Sequence, residues 1–340
     1  MEIEKQLQKI GIIPKGKLKI EDKNNIAKTI AEKLSANIPE LSNSYNELYM
    51  RIFNCNIYYA EVDKKFCGVF YYYKNNTIYL EKIDDLDASP YFVHEIIHYL
   101  QNFEKINKKS NRAGICKFTD FKIFGLGINE AIVQYFAAKA IGNTVHKIKN
   151  DNITIYTNNE NNYKYLTSLA YQIMLLIGEE EAIKSCISST DDFENKLYNT
   201  FEENTDKILK NFDNILNENN KKARDENKII NIYLQTQKII YTTYFTKMYN
   251  QVTTIKEVDE QVEKIENYQK ILGKINNGKM TEEDEFNIFK DKMNSKFLEK
   301  YMEINRRKTR NSLVVYKKSI ASIFNRISKF IQEKLKSKKT

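Results

Sequence analysis

The sequence predicts an α+β fold that is mostly α, with a small antiparallel β-meander set among helices and an all-α region after it. Three observations predict it. The 340 residues hold only 10 Gly and 3 Pro, which favours long helices over loop-rich β architecture. Three runs between Asn56 and Ile83 are dense in Tyr, Phe, Val and Ile and are separated by polar turns, as strands are. Elsewhere apolar residues recur at the three- and four-residue spacing of helices. With 41% apolar residues the chain can bury a core along most of its length, and that length suggests about two domains.

Residues 1–50 read as mostly helical. Asp22 to Ala36 aligns Ile26, Ile30, Ala31 and Leu34, with Asp22 or Asn24 placed to cap it, and Ser44 to Ile52 is a second helix. The strands Asn56–Val62, Phe66–Tyr73 and Thr77–Ile83 are expected as successive antiparallel neighbours, because Asp63-Lys64-Lys65 and Lys74-Asn75-Asn76 are good hairpin turns. Tyr71, Tyr72 and Tyr73 read as ordinary sheet residues. A helix then opens at Ser89-Pro90: the hydroxyl can cap it, and proline in the first helical position loses no hydrogen bond. Val93, Ile96, Ile97 and Leu100 supply its buried side. Residues 101–128, with Lys105, Lys108, Lys109, Arg112, Lys117 and Lys122, read as a basic surface excursion leading to a second amphipathic helix from Gly127 to about Ile141.

Beyond it, Val145–Tyr156 suggests a strand, and helices follow at 163–177, 178–188 and 191–201. A composition shift near Thr205 marks the expected domain boundary, giving a first domain of residues 1–204. Residues 205–304 are expected to form a helical hairpin or bundle. It would comprise Asn231–Tyr249, a near-heptad run through Ile255, Val258, Val262, Ile265, Tyr268 and Leu272, a turn at 273–278, and a helix begun by Thr281 with Asp284 three residues on.

The chemistry concentrates in one stretch. His94 and His98, two of only three histidines, flank Glu95 in His-Glu-x-x-His. Four residues make about one helical turn, so both imidazoles lie on one face and can share one Zn²⁺, with the Glu95 carboxylate beside the metal's open position. A zinc hydrolase needs a third protein ligand. His146 lies 48 residues past His98 (146 − 98), in a strand-like stretch. The stronger candidate is Glu130, 32 residues past His98 (130 − 98), which opens the second helix in Gly127-Ile128-Asn129-Glu130-Ala131-Ile132.

In these residues the sequence resembles the gluzincin zinc metallopeptidases, the thermolysin-like branch of the zincins. The resemblance is clear over residues 90–141. It implies a zincin-like domain over residues 1–204, with His94, His98 and Glu130 binding Zn²⁺ and Glu95 acting as general base and acid on a peptide or protein substrate. It also implies that an edge strand aligns the substrate backbone, and that a tyrosine shortly after the ligand helix stabilises the oxyanion. Tyr163 and Tyr165 are the candidates for that tyrosine, with Tyr135 and His146 behind them. Two departures stand out. The gap to the third ligand is longer than in thermolysin, and Gln134 occupies the place of an aspartate that orients a ligand histidine. A glutamine carbonyl can still accept an imidazole N–H, but it adds no negative charge.

Charge and cysteines bound the rest. Residues 305–340 carry 12 Lys/Arg against one acid, Glu333, or +11 (12 − 1); with +9 overall, residues 1–304 sum to about −2 (9 − 11). Leu313, Tyr316, Ile320, Ile323, Phe324, Ile327, Phe330 and Ile331 form an apolar stripe in this tail, which reads as a basic amphipathic helix that either docks on the preceding helices or binds an anionic membrane surface or nucleic acid. The abundance of Asn, Lys, Ile and Tyr fits a low-GC bacterial coding genome, so lysine content alone signals nothing. Cys55, Cys67, Cys116 and Cys186 form no C-x-x-C pair and read as reduced thiols, one Cys55–Cys67 bridge being the alternative. With no apolar leader at Met1–Leu7 and no long uncharged apolar run, a cytoplasmic location is expected, signal-less export being the other route. No P-loop, dinucleotide fold or nucleophilic triad is visible, so no nucleotide cofactor is expected. Two rival functions remain: a catalytically silent zinc-binding protein, and an interaction protein acting through the basic tail.

Overall fold

A computed structural model of the chain describes residues 2–83, 89–107, 111–119, 122–149, 152–160, 163–276 and 282–311. It is α+β and mostly helical. The N-terminal part runs α1 (Glu2–Lys9), β1 (Ile12–Lys17), α2 (Ile20–Asn37), α3 (Tyr45–Phe53), β2 (Asn56–Val62), β3 (Val69–Tyr72) and β4 (Thr77–Leu80). Next come α4 (Pro90–Asn107), the short strands β5 (Arg112–Ala113), β6 (Cys116–Phe118) and β7 (Ile123–Phe124), and α5 (Leu126–Ala140). The hairpin β8 (His146–Lys149) and β9 (Ile153–Thr157) leads into α6 (Lys164–Ile177), α7 (Glu180–Ser188), α8 (Asp192–Phe201) and α9 (Asn204–Asn219). The last elements are α10 (Glu226–Gln251), α11 (Ile255–Lys270), β10 (Lys274–Ile275) and α12 (Glu282–Asn311).

The first sheet corrects the expected meander. Its order is β1-β2-β4-β3, with β2 and β4 parallel and the other two pairs antiparallel. The Lys74–Asn76 turn does close a β3–β4 hairpin, but Asp63–Lys65 does not close one between β2 and β3. There Asp63 Oδ1 accepts the Lys65 N–H (3.0 Å) in a 3-10 turn, Cys67 and Gly68 take left-handed conformations, and the longer link carries β3 past the place that β4 fills. The free side of β2 is taken by β1, from a region expected to be mostly helical. Alternation then covers both faces. Ile12, Ala60, Val62, Tyr72 and Tyr79 pack with Leu7 of α1, while Tyr71, on the opposite face of β3, meets Tyr99 of α4 edge-on at 6.3 Å.

The compact units divide elsewhere than at residue 204. Among the described residues, one unit holds those of 2–244 and 266–287, the other those of 245–265 and 288–311. α9 packs on α5 inside the first unit. A Cβ on Gly127 would lie 2.3 Å from the Phe212 backbone, and the Gly127 N–H bonds Asp213 Oδ1 at 2.7 Å, so only glycine admits this approach. α5 is also not amphipathic: Ala131, Ile132, Val133, Phe136, Ala137 and Ala138 bury nearly every side of it, making it the central helix of the unit. A buried network ties α6 to α10 and α11, in which Gln172 Nε2 donates to the Tyr233 hydroxyl (2.9 Å) and Tyr268 donates to Gln172 Oε1 (2.6 Å). In the second unit Phe245, Val258, Met293 and Phe297 are buried, and Tyr249 meets Phe297 edge-on at 6.0 Å.

α12 runs through position 305 without a break; Thr281 and the tail from 312 onward lie outside the described residues. All four cysteines are free, Cys67 exposed and the others buried, so Cys55 and Cys67 are not bridged. Among the described residues no helix is long and apolar enough to cross a membrane.

Candidate metal centre

α4 begins where Ser89 and Pro90 predict: the Ser89 hydroxyl accepts the Tyr91 N–H at 3.3 Å. Phe92, Val93, Ile96, Ile97, Tyr99 and Leu100 are all buried, which fixes the helix's rotation and leaves His94 and His98 on the face toward α5. The Nε2 atoms of the two histidines lie 2.9 Å apart. From α5, Glu130 places Oε2 3.3 Å from His94 Nε2 and Oε1 3.3 Å from His98 Nε2. The three side chains offer ligand atoms that all lie within 4.8 Å of one another.

The donor set fits zinc. Two imidazoles and one carboxylate are a common catalytic set, and metal–ligand bonds of about 2.0–2.1 Å at tetrahedral angles put neighbouring ligand atoms about 3.3 Å apart. Both histidine–glutamate separations match that spacing. Burial alone would lower the pKa of His98, but the Glu130 and Glu95 carboxylates outweigh it and raise it to about 9. Burial acts on Glu130 in the opposite sense to its imidazole neighbours, which win and hold it below the usual carboxylate range. A proton is therefore held where a cation would sit.

Glu95 follows His94 and turns toward the sheet, where its Oε2 accepts the Tyr71 N–H at 2.9 Å. Burial raises its pKa, against the opposing pull of His94, His98 and that N–H. Tyr71 lies on β3, the edge strand beside α4. Tyr163, at the start of α6, stacks its ring on His94 with centroids 6.1 Å apart. Burial, with Glu130 and Glu95 nearby, pushes the Tyr163 hydroxyl's pKa up, so it stays a donor.

The other candidates lie elsewhere. Tyr165, two residues on, points into the core, where it is 1% exposed and donates to Glu226. Tyr135 donates to Glu179 Oε1 at 2.7 Å. His146 sits on the rim of a cavity of about 490 Å³ lined also by Pro90, Asn158 and Glu160, with its Nε2 2.8 Å from Glu160 Oε1. Gln134 is buried one turn beyond Glu130, and its Nε2 and the Nδ1 of His94 are both without a hydrogen-bond partner among the described residues.

Sequence reasoning missed Gln101, whose Oε1 lies 3.0 Å from His98 Nδ1. The signal was present: Gln101 is three residues past His98, hence on the same helix face. Comparison of the chain with protein-family models, curated proteins and solved structures returned no match.

Proposed function

We propose that the chain is a zinc-dependent metallopeptidase of the gluzincin type, hydrolysing peptide bonds in a peptide or protein substrate. The observation that carries this reading is the convergence of His94, His98 and Glu130 from two helices, with Glu95 alongside. His94, His98 and Glu130 would hold the metal. Bound there, zinc supplies Lewis acidity, polarising a carbonyl and acidifying water. Glu95 takes a proton from the attacking water and later passes it to the leaving amine as the C–N bond breaks. Burial raises its pKa, which makes it a stronger base toward the attacking water. Tyr163 donates its hydroxyl proton in a hydrogen bond to the developing oxyanion.

A catalytically silent zinc-binding protein is the second reading, favoured by the neutral amide at Gln134 and the Tyr71 N–H already resting on Glu95. Elemental analysis of the purified chain tests the site: about one zinc per chain, and little in His98→Ala, is expected. A peptidase screen then separates the two readings. Glu95→Gln should keep the zinc and lose hydrolysis by orders of magnitude; full activity in that variant would sink the catalytic assignment.

A further inference from the structure

We propose that Gln101 is the positioning residue that fixes the tautomer of His98, and that it takes its own orientation from the backbone N–H of Ile115 through Asn129. The inference rests on the zinc reading above, because the tautomer matters most to a ligand histidine.

Donors and acceptors alternate along a buried chain of contacts that ends on His98. A backbone N–H can only donate. The Ile115 N–H points at Asn129 Oδ1 (3.0 Å), so that atom is the amide oxygen. The Gln101 amide group 3.1 Å from the same oxygen must therefore be its NH₂. The second hydrogen of that NH₂ faces Cys186 Sγ at 3.1 Å, so both donors are committed. Asn129 Nδ2 returns a bond to Gln101 Oε1 at 3.3 Å, pairing the two amides head to tail. Gln101 Oε1 is thereby the atom facing His98 Nδ1, and it can only accept. His98 must carry its hydrogen on Nδ1, which leaves the Nε2 lone pair for the metal. Turning the Gln101 amide over would set two oxygens against each other and leave an NH₂ facing Nδ1, each buried.

The surroundings hold the relay in place. Gln101 is 2% exposed and Asn129 2%. Ser189 Oγ accepts the Gly114 N–H at 2.7 Å and donates to the Gln101 carbonyl at 3.2 Å. A Cβ on Gly114 would lie 2.2 Å from Gln101 Nε2 and 2.5 Å from Asn129 Oδ1, so the absence of a side chain at 114 is what lets the two amides meet. The connection between α4 and α5 thus supplies the backbone group from which the ligand's protonation pattern is set.

The test uses all 340 residues, with Zn²⁺ affinity measured by chelator competition and the His98 ring read by long-range ¹H–¹⁵N NMR. Wild type should show an exchange-protected Nδ1–H on His98, both metal-free and zinc-loaded. Gln101→Leu should weaken zinc about 10- to 100-fold at unchanged stoichiometry and circular dichroism, and should lose the Nδ1–H protection. Gln101→Glu keeps an acceptor at Nδ1 although its second oxygen faces Asn129 Oδ1, so it should recover the Nδ1–H protection and bind zinc more tightly than Gln101→Leu; Asn129→Leu, which removes the oxygen that orients the Gln101 amide, should weaken both. Zinc affinity in Gln101→Leu within twofold of wild type would overturn the proposal, as would a bare or metal-bound Nδ1 in wild type. If Gln101→Leu does not fold, the wild-type spectrum and the Glu variant still decide. If wild type binds no zinc, the zinc reading fails while the metal-free spectrum, recorded above pH 9 where the His98 ring is neutral and carries a single hydrogen, continues to test Gln101.

Discussion

Raising the pH from 6.5 to 9 should tighten zinc binding by about a factor of ten for each unit. In the metal-free chain the Glu130 carboxylate, 3.3 Å away, outweighs burial and lifts His98 from the ordinary 6.5 to about 9. Zinc takes the Nε2 lone pair, so that proton has to leave first. At pH 7 the apparent affinity should therefore sit about 100-fold (10^(9 − 7)) below the limit reached above pH 9. Glu130→Gln removes the main source of the shift. Its limiting affinity should drop, because a ligand is weakened, and its pH dependence between 7 and 9 should flatten. Folding of the metal-free chain gives the matching sign. A pKa raised above its unfolded value stabilises fully below pH 6.5 and loses that contribution as the pH climbs through 9, so the urea midpoint should fall over this window. Chelator competition at constant ionic strength reads the first effect. Zinc affinity that stays level from pH 7 to 9 would refute the reasoning, and a slope indifferent to Glu130→Gln would put its source elsewhere.

Tyr163→Phe should retain zinc and lower kcat about 10²- to 10³-fold, whereas Tyr165→Phe should cost about 1 kcal/mol of stability and spare kcat; steady-state kinetics beside urea denaturation separates the two. Gly127→Ala sets a methyl 2.3 Å from the Phe212 backbone and should destabilise by about 1–3 kcal/mol or more, shifting Glu130 and weakening zinc with it. A thiol reagent should modify one cysteine, Cys67, in the folded chain and the other three only on unfolding, which mass spectrometry of the labelled peptides would count.

How much was legible depends on whether a feature is set locally. The cap at Ser89, the proline behind it and the apolar spacing of Val93 to Leu100 fix α4 from adjacent residues. The expected helices at 163–177, 178–188 and 191–201 likewise fall within two residues of α6, α7 and α8 at each end. The strand order was not legible, because neighbours in a sheet are chosen by pairing between distant segments. Asp63 to Gly68 looks like a hairpin turn until β4 is seen to occupy the gap, and Ile12 to Lys17 has no run of β-formers to betray β1. The packing of α9 was hidden for a similar reason: its pattern announces an apolar face but not that α5 covers it. At the metal centre, the spacing of His94 and His98 is a property of one helix. The arrival of Glu130 is a property of how two helices pack. Gln101 escaped notice because an amide three residues along a helix is ordinary until its partners are known.

The division of labour between α4 and α5 bears on how such a centre can change over time. The ligand atoms are positioned by two helices that pack directly on each other, and the residues that join them touch the ligand relay at Gly114 and Ile115. Doubling the length of a flexible connection adds only about 0.6 kcal/mol of closure entropy. Insertions or deletions between residues 107 and 126 that spare Gly114 and Ile115 should therefore leave the ligand triad intact, so the number of residues separating the His-Glu-x-x-His stretch from its glutamate is free to drift. A search that demands a fixed interval between them would pass over chains like this one; a search that requires the second helix to be buried on every side would retain them.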